Sequence, residues 1–326
     1  MLCIQHSNTD PCFSLAAEEY LLKNSTEDCF MLWRSENAIV VGKHQNAMAE
    51  INLPFVRQKQ IKVARRISGG GTVFHDLGNL NFTFIANGKE GSLIDFRKFT
   101  QPVIDVLKEL GIHAEFGGRN DLRVDGKKIS GNAEHVWKKR TLHHGTILFS
   151  SDISDLSGAL KVNPLQYTDR AVKSVRSKVT NLSDHLKETM DVIEFRDRIM
   201  KHILENYKDS RIYEFSKADL ETILRLKEEK FDTWEWTFGY SPKYNLSKSI
   251  RTDEGNVKFS LDVEKGTIRD LGIEGNVYSA EEIEYLNQFL SGVRHDPEEV
   301  SQIIEKGRTK NLFSGRKLEV LLKGIF

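Results

Sequence analysis

The run Arg65-Arg66-Ile67-Ser68-Gly69-Gly70-Gly71-Thr72-Val73-Phe74-His75-Asp76 concentrates the chemistry-bearing residues of this 326-residue chain. Three adjacent glycines permit positive φ values and leave no Cβ between the main chain and a ligand. Successive amide N–H groups in such a loop can converge on anionic oxygens. Arg65 and Arg66 add planar, permanently charged forks suited to phosphate or carboxylate. The expectation is a polyanion cradle. A P-loop is excluded, because Gly-x-x-x-x-Gly-Lys-Ser/Thr is absent, and so is Gly-x-Gly-x-x-Gly. Gly71 leads into Thr72-Val73-Phe74, a β-type run, so a helix dipole is not the obvious source of positive potential. A flexible hairpin loop with solvated arginines is the plain alternative. The arginine pair and the tight apolar strands around it favour ligand binding.

Lys127-Lys128-Ile129-Ser130-Gly131 is a second candidate. Read as a simple strand, it puts Lys128 and Ser130 on one face and Lys127 and Ile129 on the other. An ammonium on such a face can sit over a substrate carboxylate and stabilise charge at an attacked α-phosphate; two solvated hairpin lysines are the bland reading. Asn120-Asp121 can position Mg²⁺ or cap the turn before Leu122. His143-His144-Gly145-Thr146 offers a polar group, although a hydrogen-bonded structural histidine is the better default. His75 and Asp76 can orient the loop from behind. Val73, Phe74 and Ile129 can wall a pocket that keeps out water.

These residues need a scaffold, and the pattern indicates a mixed sheet covered on one side. Short apolar strands are expected over 30–33, 38–42, 61–64, 72–74, 80–85 and 146–149. Asp125-Gly126 marks a hairpin between 122–124 and 128–130. Helices are expected from a Ser14 cap to about 23, over 96–110 with Gly111 as terminator, and over 192–207 and 218–229. From about residue 245 two hairpins turn at 253–256 and 264–267. Two helices follow, announced by Ser279 with Glu282 and by Asp296 with Glu299, the second closed by Gly307. Trp234 and Trp236 read as core or domain contact. The expected domains are 1–244 and 245–326.

Lys+Arg and Asp+Glu both number 47, so no net basic field favours bulk nucleic-acid or membrane-surface binding. No apolar run is long enough to span a bilayer, and no secretory signal is visible. Cys3, Cys12 and Cys29 lack metal-ligand spacing and are odd in number, which suits buried thiols in a reducing compartment. The expected setting is the cytoplasm.

Residues 65–76 resemble the Arg-Arg-x-Ser-Gly-Gly-Gly-x-Val-Phe-His-Asp signature of lipoate–protein ligases. Gly118-Arg119-Asn120-Asp121-Leu122, Lys128-Ile129-Ser130-Gly131 and His143-His144-Gly145-Thr146 follow in that family's order. Ser174-Val175-Arg176-Ser177-Lys178-Val179-Thr180-Asn181-Leu182 and Trp234-Glu235-Trp236-x-Phe-Gly continue the match. The resemblance covers nearly all of the first 240 residues. It implies an α+β catalytic domain, a mixed sheet flanked by helices, related to biotin ligases and class II aminoacyl-tRNA synthetases, with a small α+β C-terminal domain. It also implies a two-step reaction. Lipoate or octanoate and Mg·ATP form acyl-AMP and pyrophosphate; the lysine of a lipoyl domain then takes the acyl group. Arg66 and Gly71-Thr72-Val73-Phe74 are expected to hold ATP, Lys128 both ATP and lipoate, and Gly70 and Gly71 lipoate. Arg65, Ser68, His75, Asn120 and His144 are supporting candidates, with Asp121 toward Mg²⁺. Expected acceptors are lipoyl domains of 2-oxoacid dehydrogenase complexes and the glycine-cleavage H protein, with neither nucleic acid nor membrane as partner. Two alternatives stand beside this: an octanoyltransferase working from acyl carrier protein through a cysteine, and a non-catalytic ligand-binding protein.

Overall fold

The computed structural model describes residues 1–88, 95–118, 120–160, 166–309 and 314–326; Arg119 of the motif above lies outside them. The strands in chain order are β1 (Leu2–Gln5), β2 (Cys29–Trp33), β3 (Ala38–Val41), β4 (Lys62–Arg65), β5 (Val73–His75) and β6 (Asn79–Asn87). They continue as β7 (Glu115–Gly117), β8 (Asp121–Val124), β9 (Lys127–Trp137), β10 (Arg140–Leu148), β11 (Tyr167–Asp169) and β12 (Arg211–Ile212), with β13 (Tyr244–Thr252), β14 (Gly255–Glu264) and β15 (Thr267–Gly275) last. The helices are α1 (Pro11–Asn24), α2 (Ala47–Glu50), α3 (Leu53–Gln58), α4 (Phe96–Glu109) and α5 (Ile153–Ala159). After them come α6 (Val192–Asn206), α7 (Lys217–Leu226), α8 (Ala280–Leu290), α9 (Pro297–Thr309) and α10 (Gly315–Ile325).

Two compact units result. The first comprises Met1–Lys43, Pro54–Leu160 and Ser174–Thr233; the second comprises His44–Leu53, Lys161–Lys173 and Trp234–Phe326. Two stretches that precede residue 234 therefore belong to the second unit.

The first unit is built on a mixed sheet of order β12-β1-β2-β6-β10-β9-β8-β7 and a smaller one of order β4-β3-β5. Register fixes what each face carries. Phe30 pairs with Phe84 and Leu32 with Phe82, so the aromatics share one face and form a core with Phe99, Val103 and Val106 of α4 and Phe195 and Ile199 of α6. Met31 pairs with Thr83, Thr83 with His144 and His144 with Ala133, defining the opposite face. A sheet covered on one side was expected; both faces are covered. Asn79-Leu80-Asn81-Phe82-Thr83-Phe84 alternates polar with apolar as a half-solvated strand does, yet all six residues are buried. The second face is covered by α1 and the loop that links β4 to β5.

Asp10, not Ser14, caps α1: its carboxylate accepts from the Cys12 amide and Pro11 occupies the first turn. Ser14 lies inside the helix and is buried. Asp10 wins because a proline at the first helical position loses no hydrogen bond there. In the second unit, β11-β13-β14-β15 form an antiparallel sheet. Its apolar side, with Leu246, Phe259 and Leu261, packs with Leu286, Val300 and Leu321 of α8, α9 and α10. Ser279 and Glu282 make both bonds of a capping box. Gly307 does not close α9, which runs through it to Thr309. Trp234 packs on Phe238 beneath the Arg294 guanidinium, inside this unit.

Candidate functional site

The glycine loop leaves β4 with both arginines turned inward. Arg65 is fully buried and donates from Nη1 to the carbonyls of Gly42 (2.9 Å) and Lys43 (3.1 Å). Arg66 donates from Nη1 to Val40 O (3.0 Å) and from Nε to Ser68 Oγ (3.0 Å). Its Nη2 reaches Gly69 O (2.7 Å) and Gly71 O (2.6 Å). The expected open forks are instead braces. A tight loop turns its carbonyls inward, and each needs a donor once water is excluded. Burial draws the Arg66 pKa down to about 10, with Glu18 opposing the shift, so the group stays cationic near neutrality.

No described residue accepts from the Gly70 or Gly71 N–H, whereas Thr72 N donates to Ser174 Oγ (2.9 Å). Gly70 adopts φ of 91°, a conformation strained for any residue with a Cβ. Gly42, at the end of β3, packs against it: a Cβ on Gly42 would stand 2.2 Å from Gly70 O. Gly69, Gly71, Thr72 and Val73 are half-buried, and Phe74 is buried in β5 opposite Ile39.

A buried polar relay supports the loop. Ser68 Oγ lies 2.6 Å from His144 Nε2, and His144 Nδ1 lies 3.0 Å from Glu18 on α1. The Glu18 carboxylate can only accept, so His144 donates to it from Nδ1–H. Glu18 also accepts from Thr83 Oγ1 (2.5 Å), which in turn accepts from Trp33 Nε1 (3.0 Å). His75 stands edge-on to Trp33, and burial pushes its pKa down to about 3, so it is neutral. Asp76 accepts from Gly78 N and Asp152 N and so holds the turn after the loop.

Lys128 reaches the same face by a bulge. Leu122 pairs with Ser130 and Arg123 with Lys128, leaving Ile129 as the extra residue on β9. One inserted residue reverses the alternation before it. Lys128 and Ser130 therefore do not share a face, contrary to the expectation. Ser130 lies with Asn132 (3.3 Å) and Ile129 joins the helix-side core, so Ile129 does not wall the site. Lys128 Nζ instead lies 3.0 Å from where a Cβ on Gly131 would be, and 2.7 Å from Asp121 Oδ1. Gly70 abuts Ala133, the next same-face position, at 3.8 Å by the same construction. Two residues along a strand span roughly 7 Å. The glycine loop and the Lys128 ammonium thus occupy neighbouring places on one face of β9. Ser174 to Thr180 spans both: Ser174 takes the Thr72 amide, while Lys178 O and Thr180 N bond the main chain of Lys128.

Asn120 ties β8 to β9, giving Nδ2 to Asn132 O (2.6 Å). Asp121 is held by Lys128 and, at 3.5 Å, by Arg123. One carboxylate suits a Mg²⁺ carried mainly by nucleotide phosphates rather than a protein cage. Among the described residues, the grouping with metal-like spacing is Asp10, Cys12 and Asp232. There Lys62 and Lys227 already straddle both carboxylates, which leaves little field for a cation. Cys3, Cys12 and Cys29 are all buried and unpaired. Burial raises each thiol, that of Cys12 to about 12.

Gly42, Glu18, Thr83 and Trp33 were not picked out as functional from the chain alone. The polar alternation of residues 79–83 was the available signal for Thr83; Glu18 had only the oddity of a carboxylate between Leu15 and Leu22.

A family model for the lipoyl protein ligase A/B catalytic domain matches residues 10–204, and one for the bacterial lipoate protein ligase C-terminus matches 241–325. The chain is 38% identical over 331 residues to lipoate-protein ligase LplJ of Bacillus subtilis, with 100% of both chains covered. Plasmodium falciparum LipL1, solved in complex with lipoate, superposes with a TM-score of 0.61 at 26% identity, covering 99% of this chain and 98% of that one. A lipoate-protein ligase A solved with bound ATP gives 0.62 at 26% identity, covering 73% and 98%. No described helix is long and apolar enough to cross a membrane.

Proposed function

The chain belongs to the lipoate–protein ligase family and is an ATP-dependent ligase, and on that premise we propose how its residues divide the work. The acid, lipoate or octanoate, binds with its carboxylate near Lys128. The carboxylate attacks the α-phosphorus of ATP and pyrophosphate leaves. In the second step an acceptor lysine attacks the acyl carbon of the mixed anhydride, and AMP departs with the bonding pair.

The N–H groups of Gly70 and Gly71 donate to the anionic oxygens of the nucleotide, while Thr72 and Val73 line its approach. Lys128 bridges the acid and the α-phosphate, and stabilises the charge that grows as the bond to pyrophosphate breaks. Arg66 acts one step back, setting the loop's shape through the Gly69 and Gly71 carbonyls. Arg65, Ser68 and His144 extend that support, and His75 and Asn120 hold the strands on either side. Asp121 would help hold a Mg²⁺ bound with ATP, which would supply neutralisation of phosphate charge. Holding both reactants in one geometry supplies much of the rate.

We assign catalysis to residues 1–244 and an accessory role to 245–326. Lipoyl domains of 2-oxoacid dehydrogenase complexes and the glycine-cleavage H protein are the proposed acceptors. ATP as substrate and three unpaired thiols support a cytoplasmic setting. The observation that carries the reading is the placement of the glycine loop and Lys128 side by side on β9. Lipoate-dependent exchange of labelled pyrophosphate into ATP, without acceptor protein, tests it. Exchange that requires lipoate supports adenylation; nucleotide binding with no exchange removes it. The cysteine route is disfavoured by burial and raised thiol pKa.

A further inference from the structure

Across the sheet from Lys128 lies a buried polar row with no part in the chemistry above. His143 neighbours His144 on β10 and so points the opposite way. Phe82, Phe96 and Phe99 surround its ring at centroid distances of 5.9, 5.6 and 5.3 Å. Its cross-strand partner Glu134 places Oε1 2.8 Å from Nδ1, and both side chains are buried. An ionisable pair in an aromatic box is seldom the most stable filling, so its value lies in what it holds.

His143 Nε2 lies 3.3 Å from Asn132 Oδ1. Asn132 Nδ2 donates to Asn120 O (3.0 Å) and Ser130 Oγ (3.3 Å). Oδ1 must then accept, so Nε2 carries a proton. A second proton has to lie between Nδ1 and Oε1, whichever partner owns it. The carboxamide occupies the space over Gly145, where a Cβ would stand 2.1 Å from Oδ1. Asn120 returns its own Nδ2 to Asn132 O (2.6 Å), and its carbonyl also takes Asn132 N (3.0 Å). Three bonds thus pin the residue that precedes β8. The next residue, Asp121, sits opposite Gly131 and holds Lys128 Nζ at 2.7 Å.

We infer that His143 is a positioning residue, which acts through Asn132 and Asn120 to fix Asp121 and, through Asp121, the Lys128 ammonium. The inference rests on the reading that Lys128 serves adenylation.

Two substitutions separate the proton from the packing. His143→Phe keeps an aromatic ring in the box and removes the Nε2 donor. Glu134→Gln offers an amide N–H to Nδ1 and leaves Nε2–H on Asn132. In lipoate-dependent pyrophosphate exchange, His143→Phe should lower kcat about tenfold, with KM for ATP and the cooperativity of unfolding little changed. Glu134→Gln should stay within about twofold of the parent. Because the effect passes through Lys128, His143→Phe should add no further loss in a Lys128→Ala background. Equal losses in both backgrounds, a fully active His143→Phe, or a Glu134→Gln as damaged as His143→Phe would each overturn the inference. Full exchange by Lys128→Ala alone would remove the reading beneath it and the inference together. Should His143→Phe fail to fold, Asn132→Ser replaces it in the same cycle with the same expected outcomes.

Discussion

Alanine at Gly42 should damage the site far more than alanine at Gly69, although Gly69 belongs to the glycine run and Gly42 lies outside it. An added Cβ at Gly42 would stand 2.2 Å from the Gly70 carbonyl oxygen and 3.1 Å from its carbon, where contacts under 3.0 Å are essentially never seen. Both neighbours are main chain, so no side chain can swing aside. Relief needs the Gly70 peptide to move by about 1 Å, and misplacement on that scale costs about 100-fold in rate. That is about 2.7 kcal/mol of transition-state stabilisation. At Gly69 a Cβ meets nothing within 4 Å, and its φ is not among the positive values, so the substitution should leave the rate within about twofold and slightly stabilise the fold. The assay is acceptor-free, lipoate-dependent pyrophosphate exchange over a range of ATP, with thermal unfolding to normalise for folded protein. A crippled Gly69→Ala beside an active Gly42→Ala would show that the loop does not work through the close approach described here.

Lys128→Ala should lower adenylation about 10²–10³-fold, with an unfolding midpoint close to the parent because the side chain is partly exposed; near-parental exchange would refute its role. Alkylating reagents at neutral pH should leave activity intact, since buried thiols with raised pKa supply little thiolate; rapid inactivation tracking one modified cysteine would revive a thiol mechanism. His75 and His295 are held neutral by burial, with pKa values pushed down to about 3 and about 4. The unfolded chain therefore takes up their protons first. Their contribution is full above about pH 6.5 and is lost as pH falls toward 4 for His295 and toward 3 for His75, His295 alone accounting for about 3 kcal/mol. Denaturant unfolding between pH 7 and 4 should show that decline, and His295→Gln should flatten it; a decline of unchanged slope in His295→Gln would contradict the assignment.

The glycine loop was legible because its chemistry is local: three glycines beside two arginines restrict what one stretch of main chain can do. The direction of those arginines was not, because it depends on the carbonyls of Val40, Gly42 and Lys43 arriving from another strand. The face of Lys128 was misjudged for a different reason. Strand alternation is a rule of period two, and the single extra residue at Ile129 breaks it without any mark in residue type. The start of α1 went to Ser14 on side-chain preference, whereas Asp10 followed by Pro11 is the stronger signal. The two stretches that join the second unit, His44–Leu53 and Lys161–Lys173, carry no composition shift that separates them from their neighbours. The hairpins and the Ser279–Glu282 box of that unit were readable, since turn and cap chemistry act over three or four residues.

The most direct test of the loop–lysine arrangement is a crystal structure with a non-hydrolysable lipoyl-adenylate analogue. The account predicts its phosphate surrogate between the Gly70 and Gly71 amides and Lys128 Nζ, within hydrogen-bond distance of both sides. An analogue bound with that group remote from either side would contradict it.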